Sequence, residues 1–268
     1  MVRESEVGDG RKDGPTYQAP ALEKGLDILE LLASTAEPLS RTDIARQLDR
    51  SVGEIYRMLH QLVQRRYVAV VNDNYVLTTK LFELAHYYPP TQRLLVEAMP
   101  IMQKLATQVD QACHLTVYSQ GRQLVIAKID VPSGMGFSVR VGSELDVLVS
   151  VSGRVLLAFQ EPRTRELWLE ESALREPGQS LPKTTAALEK IIKRGFEAAP
   201  SGQVKGLYAI SYPILDLRGH AIAALTVPYA DRVDLKGRTT AKEVEAILGD
   251  AAADLTRRVS GRGEQAAG

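Results

Sequence analysis

The stretch from Leu39 to Val68 constrains this chain more than any other, because it writes two short helices that open with the same device. Ser40 stands three residues before Asp43, and Ser51 three before Glu54. In such a pair the serine hydroxyl accepts from the amide three residues on, while the acid reaches back to the serine amide. Two of the donors left open at every helix start are thereby satisfied. Leu39 and Ile44 occupy the two positions of a hydrophobic staple around the first cap. The second helix divides cleanly by face. Ile55, Leu59 and Leu62, flanked by Met58 and Val63, fall on one side, with Gly53, Arg57, His60, Gln61 and Gln64 opposite. A helix that packs one face and offers Arg and Gln on the other suits a DNA major groove, where Arg pairs with guanine and Gln with adenine. Taken alone, it reads equally well as an ordinary amphipathic helix with a solvated face.

The flanking segments separate these readings. Upstream, Pro20 to Ser34 is a helix started by proline, with Leu22, Leu26, Leu29 and Ala33 at helical spacing. Downstream, Tyr67–Val71 and Tyr75–Leu77 are β-rich runs joined by the turn formers Asn72, Asp73 and Asn74. Three helices followed by a hairpin is the order of a winged helix-turn-helix. Its expected buried set is Ile28, Leu29, Leu32, Ile44, Leu48, Ile55, Leu59 and Leu62.

The run from Ala21 to Leu84 resembles the DNA-binding half of the IclR family of bacterial transcriptional regulators. The resemblance is carried by Ala21-Leu-Glu-Lys-Gly25-Leu-Asp-Ile-Leu29, Ile44-Ala45, Tyr56-Arg57-Met-Leu59 with Leu62, Tyr67-Val68, and Tyr75-x-Leu77-Thr-x-Lys-Leu81. One departure stands in the first turn of the reading helix, where the family usually has threonine and this chain has Glu54. That carboxylate either caps the helix with Ser51 or accepts from cytosine N4.

Charge and length agree with two parts. A chain of 268 residues is long enough for two cores. Formal net charge is zero, yet six arginines stand against three acids between Arg41 and Arg66, a local excess suited to a binder that needs two copies. One cysteine excludes a disulfide framework, and His60, His86, His114 and His220 show no metal-ligand spacing. No apolar run reaches membrane length and no signal-peptide core is present, so the expectation is a cytoplasmic protein without a membrane partner.

Further along, Thr78–Tyr88 is a helix expected to stop at Pro89-Pro90, either a dimer-forming linker, as the resemblance implies, or a short solvent-facing connector. Thr91–Val109 is helical again, kinked at Pro100 or split there into two abutting helices. From Ala112 the period becomes two. His114–Tyr118 and Leu124–Ile129 form a second hairpin, Val131–Gly136 a loop, and Phe137–Val141 a short strand. Arg154–Phe159 is a helix apolar nearly all round, and Arg163–Glu170 and Thr185–Arg194 are surface helices. The strands Phe196–Ala199, Leu207–Leu215 and Ala221–Val227 finish the sheet, and a helix from about Thr239 to Val259 covers one face. This half too resembles the IclR family, whose effector domain is GAF-like, through Phe137-Ser-Val-Arg-Val-Gly142, Ser152-Gly153-Arg with Leu156-Leu-Ala-Phe159, Gly206-Leu207, and Pro213-Ile to Ala223-Ala-Leu225.

The expected fold class is therefore α+β: a winged helix-turn-helix domain (20–78), a linker helix (79–90) and a GAF-like antiparallel-sheet effector domain (91–260), with disordered tails at 1–19 and 261–268. The DNA-binding candidates are Arg57, Gln61 and Gln64 at bases, with Gly53, Tyr56 and His60 on the same helix. Arg41, Arg50, Ser51 and the wing are expected at phosphates. By resemblance, the effector pocket lies between the sheet and the segment Ser150–Arg154, closed by the Pro132–Phe137 loop. Its candidates are Met135, Phe137, Val151, Ser152, Gly153, Tyr208, Ala209, Ser211 and Thr226. Amides at the helix start, with the Ser152 hydroxyl, suit the carboxylate of a small organic acid or acidic aromatic. Arg140 reads as a strand-edge ion-pair residue rather than an anion clamp.

No enzyme signature survives inspection. Gly134-x-Gly136 lacks the third glycine of a dinucleotide site, and no phosphate-binding loop or nucleophile elbow occurs. Adjacent strand residues Cys113 and His114 point to opposite faces, which is wrong for a thiol–imidazole pair. The expectation is a ligand-responsive regulator of double-stranded operator DNA, acting as a homodimer or dimer of dimers, with no cofactor and no metal. The rival is a GAF-type sensor that acts through protein partners.

Overall fold

The structure, a computed structural model, describes residues 19–87, 89–175, 184–231 and 239–261. Most of the two expected tails lies outside these residues. The chain divides into two compact units between Tyr88 and Pro89.

The first unit contains α1 (Pro20–Ser34), β1 (Leu39–Ser40), α2 (Arg41–Gln47), α3 (Val52–Gln64), β2 (Val68–Val71), β3 (Asn74–Leu77) and α4 (Lys80–His86). Its core is Ile28, Leu32, Leu39, Ile44, Ala45, Ile55, Leu59 and Val68, with Leu29, Leu48 and Leu62 partly buried around it. Leu22 and Leu26 are exposed instead, so the apolar stripe of α1 only partly serves this core. The staple residues Leu39 and Ile44 are both buried. β2 and β3 pair antiparallel across a turn of two residues rather than three. Asn72 and Asp73 both take positive φ, 50° and 61°, as a twist-matched hairpin turn requires and as Asn and Asp tolerate better than most residues.

Sequence reading missed β1, which adds a third strand by pairing Leu39 with Tyr75 and Ser40 with Asn74. The same strand changes the first cap. Ser40 Oγ accepts from the Asp43 amide, but Ser40 is held in the ladder and the Asp43 carboxylate turns to Ser40 Oγ and to Arg46 instead. At α3 the reciprocal box is complete: Glu54 N donates to Ser51 Oγ at 3.3 Å, and Ser51 N donates to the Glu54 carboxylate at 2.9 Å. Ser51→Ala is expected to lower the stability of this unit by about 1 kcal/mol, read as a shift in denaturant midpoint.

The second unit begins with α5 (Pro89–Val109), a single helix that runs through Pro100. Neither a second helix at Pro100 nor a helix start delayed to Thr91 is found. Pro100 sits on the exposed side of the helix, and proline is accommodated in the first turn at Pro89-Pro90. Then follow β4 (Cys113–Ser119), β5 (Arg122–Ile129), β6 (Glu144–Asp146), α6 (Val151–Ala158), α7 (Pro162–Arg175), α8 (Thr184–Arg194), β7 (Glu197–Pro200), β8 (Tyr208–Leu215), β9 (Ala221–Tyr229) and α9 (Ala241–Val259). The six strands form one antiparallel sheet in the order β6-β5-β4-β9-β8-β7. One face packs on α5 and α9 through Met102, Leu105, Leu115, Ile210, Leu225 and Leu248. The other carries α6, whose Val155, Leu156 and Leu157 are fully buried with Leu188 of α8 and Ala224 of β9.

Two local expectations fail. Phe137–Val141 is irregular: its alternation is real, with Phe137 and Val139 half-buried between exposed neighbours, but strand pairing begins only where Gly142 and Ser143 meet Val125. The helix expected at Arg154 starts one turn earlier, capped by Ser150, so Ser152 and Gly153 lie inside its first turn.

Candidate nucleic-acid interface and ligand cavity

On α3, Gly53, Tyr56, Arg57, His60, Gln61 and Gln64 are all exposed, while Ile55 and Leu59 turn inward. Gln61 and Gln64 lie one turn apart, their amides 3.4 Å from each other. Tyr56 is half exposed and lies between the guanidinium of Arg41, 5.3 Å from its ring centre, and the ring of His60. Arg41 at the start of α2 is thereby held over the reading helix.

Ion pairing sorts the charges of this unit. Arg46 is paired with Asp43, and Lys24 with Glu54 at 3.0 Å. Arg50, expected at phosphates, is engaged within the fold: its guanidinium binds Asp27 of α1 at 2.9 Å and is only partly exposed, so it ties α1 to the turn between α2 and α3. Arg41, Arg57, Arg65 and Arg66 form no ion pair among the described residues and are exposed. The wing tip offers Val70, Val71, Asn72 and Asp73 with no cation; Arg65 and Arg66 stand at its base.

Glu54 resolves toward capping. The Ser51 amide, the Lys24 ammonium and the Ser51 hydroxyl together hold its carboxylate down to about 2 from an ordinary 4.5. Its oxygens are thus committed to the helix start, not to a base edge. A depressed pKa stabilises the fold above pH 4.5 and is lost as pH falls toward 2. Glu54→Gln is therefore expected to flatten the acid limb of the stability profile of this unit between those values, as followed by circular dichroism.

In the second unit the turn before α6 is a pinned platform. Asp146 Oδ1 accepts the amides of Leu148 and Val149 at 2.7 and 2.8 Å, and Ser150 Oγ donates to Asp146 O while accepting from Gly153 N. Gln123 of β5 donates to both Asp146 O and Ser150 Oγ. Arg154 clamps the other side, its Nε 3.0 Å from both carboxylate oxygens of Glu197 and its Nη1 2.7 Å from Val149 O. Gly202 lets the 201–207 loop approach closely, since a Cβ there would meet Val149 O at 2.8 Å.

Between this platform, the sheet and the loop lies a cavity of about 160 Å³. Phe137, Val151, Ser152, Ala209 and Thr226 line it, as expected. The other four candidates do not. Met135 is mostly exposed in its loop, and Tyr208 lines a separate depression with Tyr229 and Lys242. Ser211 is fully buried behind Thr226, with the two hydroxyls 2.8 Å apart. Gly153 faces the Val147 backbone, where a Cβ would overlap the carbonyl, so it is there for close packing. Ser150, expected as the start of the segment beside the pocket, lines it too, while sequence reading missed His114, Val139, Leu145, Ser201, Gln203, Val204, Leu207 and Pro228. For His114 a signal existed: polar His114 and Thr116 alternate with apolar Cys113 and Leu115 along one buried strand. Cys113 does face the other way, into the α5 core with its thiol pushed up to about 12 by burial, while His114 faces the cavity.

A helical unit with a three-stranded wing and an exposed Arg/Gln face, joined to an α+β unit with a partly open cavity, defines the class of ligand-responsive DNA-binding regulators. Comparison with known proteins makes this specific. The family model described as bacterial transcriptional regulator IclR C-terminal matches residues 88–257, and that of the IclR helix-turn-helix domain matches residues 21–71. The chain belongs to the IclR family of transcriptional regulators. It is 25% identical over 250 residues to the Pca regulon regulatory protein of Pseudomonas putida, covering 90% of this chain and 84% of that protein. It is 26% identical to the transcriptional regulator KdgR of Escherichia coli, over 77% of this chain and 80% of that one. Among solved structures, an IclR homolog from Microbacterium hydrocarbonoxydans, complexed with 4-hydroxybenzoate, superposes with a TM-score of 0.71 at 23% identity, over 89% of this chain and 98% of that one. The helix-turn-helix match disfavours the rival in which the first unit serves protein partners alone.

Proposed function

We propose that this chain binds an operator as a homodimer and releases or tightens on it when a small organic acid or single-ring aromatic metabolite enters the cavity beside α6. Arg57, Gln61 and Gln64 read base edges, His60 and Tyr56 flank them, and Arg41, Arg65, Arg66 and Ser51 meet phosphates. Two copies are needed because one unit presents few unpaired cations. The exposed Leu22 and Leu26 of α1, with Leu84 of α4 and the adjoining Tyr87, suit a self-complementary contact.

The observation that carries the ligand reading is the cavity itself. Its volume matches the roughly 150 Å³ known to admit a benzene ring, and its walls are mostly apolar. At one wall the amides of Val151 and Ser152 begin α6 with no acceptor among the described residues, a setting that favours an anionic group. The 4-hydroxybenzoate held by the Microbacterium relative is of this size and kind. A ligand shifts operator affinity only by the difference in its affinity for the two arrangements of the protein.

Genome-wide footprinting of the bound protein supplies the operator. Titrating that complex with benzoate, 4-hydroxybenzoate and short aliphatic acids then tests the cavity. At least one is expected to raise the melting temperature and change operator affinity in parallel. No response to any of them sinks the acid reading.

A further inference from the structure

The cavity contains hydrogen-bonding capacity that the fold does not use. His114 is only 5% exposed and its ring lines the cavity; its Nδ1 is closed off without a partner, and its Nε2, the nitrogen left open, bonds nothing among the described residues. Directly opposed residues of an antiparallel ladder share a face, and the register sets Lys128, His114, Thr226, Ser211 and Glu197 in one row across β5, β4, β9, β8 and β7. Its other members are satisfied internally. Lys128 binds Asp130 at 2.7 Å, Thr226 and Ser211 bind each other, and Glu197 holds Arg154. His114 is left over, and a buried polar atom without a partner is a cost that folding alone does not explain.

The surroundings say what it would meet. The lining contains no lysine, arginine, aspartate or glutamate. Burial holds the imidazole neutral, pushing it down to about 4. An ion brought against the His114 ring, rather than against the amides that begin α6, would find no countercharge, so the group that matches the imidazole is uncharged.

We infer that His114 is a specificity-determining residue of the cavity, hydrogen-bonding an uncharged hydroxyl on a ring-sized ligand. This rests on the reading of the cavity as the effector site.

The test uses phenol and toluene, which match in size and differ by hydroxyl against methyl, titrated into the full chain and into His114→Leu and His114→Asn. In His114→Leu, phenol affinity is expected to fall roughly tenfold or more relative to toluene, and His114→Asn, which keeps a polar group, to retain part of the preference. The ligand-free melting temperature of His114→Leu should equal or exceed that of the unsubstituted chain, because an unpaired buried group has been removed. A lower melting temperature, or failure to fold, overturns the inference by making His114 structural. An unchanged phenol-to-toluene ratio overturns it while leaving the cavity reading intact. Failure of the unsubstituted chain to bind phenol while it responds to one of the acids overturns the inference alone, and failure to respond to phenol, toluene and the acids overturns both.

Discussion

Arg57→Ala is expected to cost about 1–3 kcal/mol of specific operator binding, one to two orders of magnitude in Kd, with folding unchanged. The side chain is exposed on the outer face of α3 and forms no ion pair among the described residues, so its removal breaks nothing inside the fold. Its loss should relax discrimination at one base pair. Arg65→Ala, at the base of the wing, should instead weaken all sequences alike and reduce the salt dependence by about one ion. Arg50→Ala makes the internal contrast, since its loss is felt as a loosened α1 through the missing Asp27 pair. A gel-shift or anisotropy titration in which Arg57→Ala binds the operator as tightly as the unsubstituted chain would remove α3 as the reading element.

Gly153→Ala should be the most damaging small substitution in the second unit. A Cβ there would lie inside the contact distance of the Val147 carbonyl, and backbone cannot move aside as a flexible side chain would. Overpacking of this kind costs about 1–3 kcal/mol and occasionally more, and a domain of this size loses roughly 2–4 °C of melting temperature for each kcal/mol. The displacement would also part α6 from the Asp146–Ser150 platform that forms one wall of the cavity, so ligand response should fall together with stability. Gly53→Ala on α3 is the matched control, because a Cβ there meets nothing within 4 Å. If Gly153→Ala melts with the unsubstituted chain, the close approach is wrong and Gly153 returns to the ligand-contact candidates.

The contrast between these two glycines shows where sequence reading succeeds and where it stops. Helical periodicity places Gly53 on the polar face of α3, and it is there. The sequence suggests Gly153 for the ligand site, but it packs on the Val147 backbone outside the lining, in a turn whose fold depends on Asp146, Ser150 and Gln123 together. Similarly, Arg41 and Arg50 are alike in sequence, both arginines beside a cap. Asp27, more than twenty residues upstream, decides that Arg50 is held in an ion pair while Arg41 lies over the Tyr56 ring.

What the chain determines by itself is local. The Ser51–Glu54 box, the inward Ile55–Leu59 stripe, the Asn72-Asp73 turn and the switch to period two after Ala112 all follow from spacings of a few residues, where backbone geometry leaves few choices. What only the folded molecule decides is which distant polar groups meet. His114 joins Thr226 across a ladder, and Ser201 and Gln203 line one cavity with Val151 and Ser152, over separations that no period encodes. The cavity belongs to that second kind, since its shape is the space that packed strands and helices leave between them.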